Sequence, residues 1–274
     1  MVYLIPTPIG NIDDISLRSL ALLSEIQILF CEDTRVTKKL LNLLSIKHNL
    51  EFKIDQYIAF HSHNDTKVLQ EIDPDIFSKT VGFMSDAGMP CVSDPGAVLV
   101  QYCQEHQIDY EVLPGANAAL LAYASSGFDM SQFLFHGFLP HKGNDRTQAL
   151  SSVIDSIYPT ILYESPHRIA KLSLELAKMC PDRKLFAIKE ATKKFETKFF
   201  GLCCEFPEFS NTINAKGEWS LVLEPKAKQQ GEPITEMDIQ ALDIPPKQKA
   251  KLLAKLTGMS IKACYKSVSK IDNL

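Results

Sequence analysis

The stretch SDAGMPCVSDPG, residues 85–96, places side chains that can do chemistry in a loop with a restricted backbone. Asp86 and Asp94 supply carboxylates, the two glycines permit positive φ or close approach to a ligand, and the two prolines stiffen the path. A loop that is ordered before binding loses less entropy when a ligand arrives. The composition therefore predicts a preformed binding loop, and a structural turn that caps the next helix is the alternative.

The acidic character of this loop limits its ligand. It lacks the Gly-Lys-Ser/Thr ending of a phosphate-binding loop, and no GxGxxG follows a predicted strand, so neither nucleotide fingerprint is present. Carboxylates favour a polar ligand that is not strongly anionic. S-adenosylmethionine, which carries a cationic sulfur, fits this description.

The elements around the loop predict an α/β fold. Apolar runs alternate with amphipathic segments through the first half, which favours a mostly parallel sheet covered on both faces. The predicted strands are residues 2–5, 26–31, 57–60, 80–84 and 110–113. Loops 7–11, 32–35, 61–64, 85–96 and 114–117 follow them. Because ligands of such sheets bind beyond the carboxyl ends of the strands, we expect one shared crevice there.

The second half predicts a second α/β domain. Strand candidates lie at 133–138, 160–163, 184–189, 196–201 and 218–223, with helices at 146–157 and 166–179. Adjacent strands without a helix between them indicate a mixed sheet. Residues 225–236 are typical of a linker, and a helix–turn–helix follows at 249–257 and 260–270. We predict domains at 1–116 and 117–225, and a basic helical module at 233–274.

Composition excludes several classes of protein. The 274 residues are 45% hydrophobic, contain no apolar run long enough to span a membrane, and begin without a secretory signal, so we expect a cytoplasmic protein. Seven cysteines without a CxxC pair support neither a disulfide framework nor a zinc site. His61 and His63 lack an evident third ligand, and we predict no metal.

Charge is unevenly distributed. The net charge is −4, yet residues 245–274 contain seven lysines and one acid, Asp272. This concentration favours a surface that contacts phosphates, with a solvated helix face as the alternative. Contacts of that kind position a nucleic acid without reading its sequence.

Eight stretches together resemble one family. TPIGNIDDISLRSL, EDTRVTKKLL, SDAGMPCVSDPG, LPGANAAL, FLPHK, YESPHR, KEATKKFE and GEWSLVLE occur in the family's order and cover most of residues 1–224. The chain resembles the ribosomal RNA small subunit methyltransferase I family, within the tetrapyrrole methylase-like superfamily. The lysine-rich module resembles the helical segment that follows in family members.

The resemblance implies methyl transfer from S-adenosylmethionine to the ribose 2′-hydroxyl of a cytidine in 16S ribosomal RNA. Because the rest of the chain is acidic, we expect the basic patch to hold this RNA within an assembling small ribosomal subunit. It also implies a homodimer and two α/β domains with the cofactor in the cleft between them. Carried onto this chain, the cofactor site comprises Pro8, Asp86, Ala87, Gly88, Val92, Ser93, Pro114, Gly115 and Tyr163.

The implied chemistry is an in-line displacement that needs alignment and a proton acceptor rather than a metal. The catalytic candidates are Asp33, Arg35 and Lys189. We expect Asp33 or Glu32 to orient the substrate and Arg35 to bind phosphate, an ion pair with either acid being the alternative role for Arg35. The RNA-binding candidates are Arg35, His61, His63, Arg168, Lys251, Lys255, Lys262 and Lys266.

Five residues depart from the family pattern. Val36 stands where the family often has His, and Met89 stands in place of Thr. Ala116 and Asn117 stand in place of Pro-Ser, and Lys189 in place of Arg. Two other functions stay open. One is a methyltransferase that acts on a small tetrapyrrole-type substrate, because the superfamily includes such enzymes. The other is a non-catalytic RNA-binding relative, which the departures at Met89 and Asn117 favour. The basic module favours RNA over a tetrapyrrole.

Overall fold

A computed structural model describes residues 1–214, 216–227 and 234–271 of the protein. The chain divides into two compact units, residues 1–226 and 227–274. Among the described residues, no helix has both the length and the apolar character needed to cross a membrane.

The larger unit begins with a parallel sheet of order β3-β2-β4-β1-β5. Its strands are β1 (Val2–Leu4), β2 (Ile28–Cys31), β3 (Gln56–Ala59), β4 (Val81–Met84) and β5 (Tyr110–Val112). Its helices are α1 (Leu17–Leu23), α2 (Thr34–His48), α3 (Asp65–Glu71) and α4 (Ala97–Glu105). Every residue of β2 and β4 is buried, as expected of central strands covered on both faces.

A mixed sheet of order β6-β7-β10-β8-β9 follows in the same unit. Its strands are β6 (Leu134–Phe138), β7 (Thr160–Glu164), β8 (Lys184–Lys189), β9 (Thr197–Leu202) and β10 (Trp219–Leu223). The helices of this half are α5 (Ala118–Ser126), α6 (Gly143–Asp155), α7 (Ile169–Met179) and α8 (Phe206–Thr212). Only β6 and β7 pair in parallel among these strands; the other pairs are antiparallel. The predicted mixed sheet is confirmed.

Helix ends differ from the sequence prediction where side chains cap them. The hydrophobic pattern alone predicts an amphipathic segment at residues 36–44, whereas helix α2 spans 34–48, because Asp33 accepts a hydrogen bond from the Arg35 amide and Asn49 takes a left-handed conformation at the other end. Helix α8 and two 3-10 helices, Ile12–Asp14 and Pro74–Ser78, were not predicted. They are too short to show a clear hydrophobic period.

The smaller unit contains α9 (Glu236–Ala241), α10 (Pro246–Thr257) and α11 (Ile261–Ile271). Its core consists of Ile239, Ala250, Leu253, Cys264 and Val268. The predicted helix–turn–helix is present: Gly258 ends α10 with a φ of 72°. Residues 228–233 of the predicted linker, including the expected start of the module at 233, and Asp272 lie outside the described residues.

Candidate active site

A cleft of about 460 Å³ lies between the two sheets of the larger unit. The loops that follow β2 and β4 form one wall, and residues from the second half form the other. The first wall includes Glu32, Asp86, Ala87, Gly88, Val92, Ser93 and Asp94. The second wall includes Phe138, Tyr163, Glu164, Ser165, Lys193 and Glu218. The predicted crevice at the carboxyl edge of the first sheet is therefore part of this cleft.

The 85–96 loop has an unusual backbone. Four of its residues have positive φ: Gly88 (92°), Cys91 (69°), Ser93 (63°) and Gly96 (124°). Two of these are not glycine, so the surrounding structure must compensate for local strain. A Cβ atom at Gly96 would lie 2.8 Å from the Phe83 ring, which shows that the loop is packed tightly onto β4. The predicted preformed loop thus has a physical basis in packing.

The segment after β1 is bonded to both walls. Thr7 and Gly88 exchange backbone hydrogen bonds of 2.9 and 3.1 Å. Four residues later, the Asn11 amide donates to Oγ1 of Thr192 at 3.0 Å. Gly10 lies so close to this turn that a Cβ atom would be 2.4 Å from Cγ of Lys193.

Carboxylates crowd the first wall. Burial is the main cause that raises the pKa values of Glu32 and Asp86. Burial, with the charges of Glu32, Asp86 and Glu218, raises the pKa of Asp94 to about 7. Ionised carboxylates that repel one another are stabilised by a cation placed among them. The electrostatics therefore favour a ligand with positive charge.

We expect the affinity of a cationic ligand to rise with pH through the Asp94 transition. With a pKa near 7, Asp94 is mostly protonated at pH 6 and mostly ionised at pH 8, so affinity should increase roughly tenfold between them. Calorimetry with S-adenosylmethionine across this range measures the effect.

Asp94→Asn is the matched control, because it keeps the shape of the side chain and removes the titration. A profile of affinity against pH that stays equally steep in this variant would exclude Asp94 as its source.

The stability of the ligand-free protein should change with pH in the opposite direction, falling as pH rises. Because the folded pKa of Asp94 is raised, its stabilising contribution is present at low pH and is lost as pH rises through about 7.

Asp33 and Arg35 lie beside the cleft. The Asp33 amide donates to the Asp86 carboxylate at 3.1 Å, which joins the ends of β2 and β4. Two further hydrogen bonds, from Nε and Nη2 of Arg35, reach the Asp33 carboxylate. They hold the pKa of Asp33 well below its usual range. The Arg35 side chain is otherwise 89% exposed, so it can also receive a phosphate.

The other predicted cofactor residues are not all in the lining. Ala87, Gly88, Val92, Ser93 and Tyr163 line the cleft together with Asp86. Pro8, Pro114 and Gly115 do not. Gly115 instead permits close packing of the segment after β5, since a Cβ atom there would lie 2.3 Å from Cβ of Pro6.

The remaining predicted side chains are dispersed. The buried Nζ of Lys189 donates to the Asn214 carbonyl at 2.6 Å and lies in a separate hollow. His61 lies close enough to Glu32 for its charge to oppose the burial that raises the Glu32 pKa. Nδ1 of His61 accepts a hydrogen bond from the His63 amide. Arg168 is only 15% exposed and pairs with Glu164 at 2.7 Å.

The departures from the family pattern have visible positions. Met89 and Asn117 line the cleft, and Asn117 caps α5 by accepting a hydrogen bond from the Leu120 amide. Val36 is partly exposed on α2. In the smaller unit, Lys251 and Lys255 on α10 and Lys262 and Lys266 on α11 are exposed, each pair spaced to share a helix face.

Several lining residues were not predicted, among them Phe138, Lys193 and Glu218. Lys193 bonds to both Glu190 and Glu218, at 2.9 and 3.1 Å. The signal was available, because these residues belong to the stretches FLPHK, KEATKKFE and GEWSLVLE. Across the described residues, no group of three or more His, Cys, Asp or Glu side chains is arranged to hold a metal.

Comparison with known proteins places this cleft in a family. The model of the tetrapyrrole (corrin/porphyrin) methylases matches residues 1–205. Ribosomal RNA small subunit methyltransferase I of Campylobacter fetus subsp. fetus is 45% identical, over 98% of this chain and 99% of its own length. The enzyme of the same name from Helicobacter pylori is 41% identical, over 97% of this chain and 96% of its own length.

The chain belongs to the ribosomal RNA small subunit methyltransferase I family. Another relative of this name, from Neisseria meningitidis serogroup B, is 34% identical over 96% of this chain and 91% of its own. The family resemblance drawn from the sequence motifs is thus confirmed, and the similarity extends through the basic module.

Solved structures support the fold of this family member. Cobalt precorrin-4 methyltransferase, a cobalamin biosynthetic enzyme, matches with a TM-score of 0.56 at 16% identity, over 81% of this chain and 94% of that chain. Uroporphyrin-III C-methyltransferase from Thermus thermophilus, complexed with S-adenyl homocysteine, matches with a TM-score of 0.51 at 18% identity. The match covers 80% of this chain and 91% of that chain. The predicted fold class, two α/β domains of the tetrapyrrole methylase type, is confirmed.

Proposed function

We propose that the protein transfers a methyl group from S-adenosylmethionine to the ribose 2′-hydroxyl of a cytidine in 16S ribosomal RNA. The observation that carries the proposal is the acidic, preformed cleft in a chain whose relatives are named as ribosomal RNA methyltransferases. We further propose that it works in the cytoplasm, as a homodimer, on RNA within the small ribosomal subunit.

The residues present fit S-adenosylmethionine. The cleft volume lies within the range of about 300–1,000 Å³ that is usual for small-ligand sites. Asp86, Asp94 and Glu32 would face its positive charges, and Tyr163 offers an aromatic wall. This ligand supplies an activated methyl group on a sulfonium centre.

The chain's own residues would align the acceptor and receive its proton. Glu32 lines the cleft and has a raised pKa, which suits a carboxylate that accepts the proton of the 2′-hydroxyl. Asp33 has a lowered pKa and stays ionised, so its role is to hold Arg35 against the RNA backbone. The exposed lysines of α10 and α11 would add contacts to phosphates.

A labelled-methyl assay tests the reaction. Purified protein, S-adenosylmethionine labelled in its methyl group, and small ribosomal subunits from a strain lacking the corresponding enzyme should give labelled 16S RNA. We expect the label on ribose, in a dinucleotide that resists alkaline hydrolysis. Label on a base, or unlabelled RNA, would contradict the proposal; naked RNA run in parallel shows whether the subunit is required.

A further inference from the structure

The turn at residues 190–196, between β8 and β9, has a constrained backbone. Glu190 and Thr192 have positive φ values of 52° and 64° although neither is glycine. The Thr192 amide donates to the Glu196 carboxylate at 2.7 Å, and the Glu196 amide donates to the Lys193 carbonyl at 3.1 Å. The turn is therefore held by hydrogen bonds between its own residues.

The two faces of this turn differ. Lys193 lines the cleft. Phe195, two residues later, leaves 71% of its surface exposed. Nζ of Lys194 lies 5.7 Å from the centroid of the Phe195 ring, within cation–π range. An aromatic ring and an ammonium group are thus presented to solvent next to the candidate active site.

A hollow of about 690 Å³ adjoins the ring and has a basic character. Its lining includes Lys189, Lys194 and Lys216. Its carboxylates are already bonded to lysines: Glu190 pairs with Lys193, and Glu196 pairs with Lys198 at 2.9 Å. The hollow therefore offers positive charge to an anionic partner.

We propose that Phe195 is a stacking platform for an unpaired base of the RNA substrate, while the exposed Lys194 and Lys216 contact its backbone. Proteins that recognise single-stranded RNA combine these two features, an aromatic face for the base and positive charge for the phosphates. The proposal rests on the function proposed above and identifies a substrate contact outside the cleft. The lysines favour RNA over a protein partner for this surface.

The short distance between the cleft residue Lys193 and Phe195 suits a base close to the reacting nucleotide. The Cα atoms of Lys193 and Phe195 are at most about 7.6 Å apart. Successive nucleotides of a stacked strand rise by about 3.4 Å. The backbone of Phe195 is therefore no more than about two nucleotide steps from that of the cleft residue Lys193.

RNA binding by four proteins tests the platform. Fluorescence anisotropy with a labelled single-stranded RNA oligonucleotide of mixed sequence compares the unmodified protein with Phe195→Ala, Phe195→Trp and Phe200→Ala. Phe195→Ala should weaken binding roughly tenfold, and Phe195→Trp should retain it because an aromatic face remains. Phe200 on β9 is 59% exposed and outside the hollow lining, so Phe200→Ala should bind like the unmodified protein.

Methylation kinetics separate this inference from the proposed function. For small subunits, kcat/KM should fall by a similar factor in Phe195→Ala, with the affinity for S-adenosylmethionine unchanged. If Phe195→Ala binds the oligonucleotide as well as the unmodified protein, or if Phe200→Ala weakens binding equally, the platform is overturned. If Phe195→Ala alone binds weakly but neither the unmodified protein nor any variant transfers methyl, the platform stands and the proposed function fails.

Discussion

Arg146→Met should lower the free energy of unfolding by about 3–5 kcal/mol, because it removes one member of a buried charge cluster. The Arg146 side chain is 3% exposed, and that of Glu164 is fully buried. Arg146 Nη2 bonds to Glu175 at 2.6 Å, and Nη1 lies 3.9 Å from Oε2 of Glu164, an atom without a hydrogen-bond partner among the described residues. Without this guanidinium, the acids keep only part of their compensating charge.

Thermal and denaturant unfolding measure this loss. For a unit of this size, about 3–5 kcal/mol corresponds to a fall in Tm of roughly 6–20 °C. Arg18→Met is the matched control, since Arg18 pairs with Glu111 but its side chain is 56% exposed. Exposed pairs contribute about 0–1 kcal/mol. Equal losses in the two variants would show that burial does not strengthen the Arg146 cluster.

Asp33→Ala should reduce kcat/KM for small subunits by about 10²-fold, the scale expected when a positioning contact is lost. The carboxylate holds Arg35 through two side-chain hydrogen bonds, and its removal releases the proposed phosphate contact. Affinity for S-adenosylmethionine should stay unchanged, because Asp33 bonds to the cleft residue Asp86 through its backbone amide. Steady-state kinetics and calorimetry measure the two quantities.

Asp33→Asn separates the charge from the helix cap. Asparagine caps helices about as well as aspartate, so α2 should begin normally while the charge that orients Arg35 is lost. We expect Asp33→Asn to share most of the kinetic defect. Full activity in Asp33→Asn would assign the defect of the alanine variant to the cap, and equal loss of cofactor affinity would place Asp33 in the cofactor site.

The sequence predicted the parts of the fold that follow from local patterns. Buried runs such as residues 28–31 and 81–84 identify central strands, and the glycines and prolines of the 85–96 loop indicate a fixed bend. Strand order could not be predicted in this way, because it depends on which strands pair across long distances. The placement of β10 between β7 and β8 is one such case.

The sequence predicted the site residues that one loop supplies. It missed the residues whose position depends on how the chain packs. Asp86 to Gly88 line the cleft as expected, since they follow a single strand. Lys189 was predicted as a catalytic candidate, yet its side chain is buried at the end of β8, where it bonds to Asn214. Lys193 lines the cleft from a turn in which Glu190 and Thr192 are left-handed, a conformation that the sequence pattern does not reveal.

The segment after β1 has a consequence for how ligands come and go. Thr7 is bonded to the first wall and Asn11 to the second, with only three residues between them. Moving the two walls of the cleft apart would break these hydrogen bonds. A small molecule therefore enters and leaves through the opening of a cleft whose walls stay in place. RNA bound at that opening would block its exit.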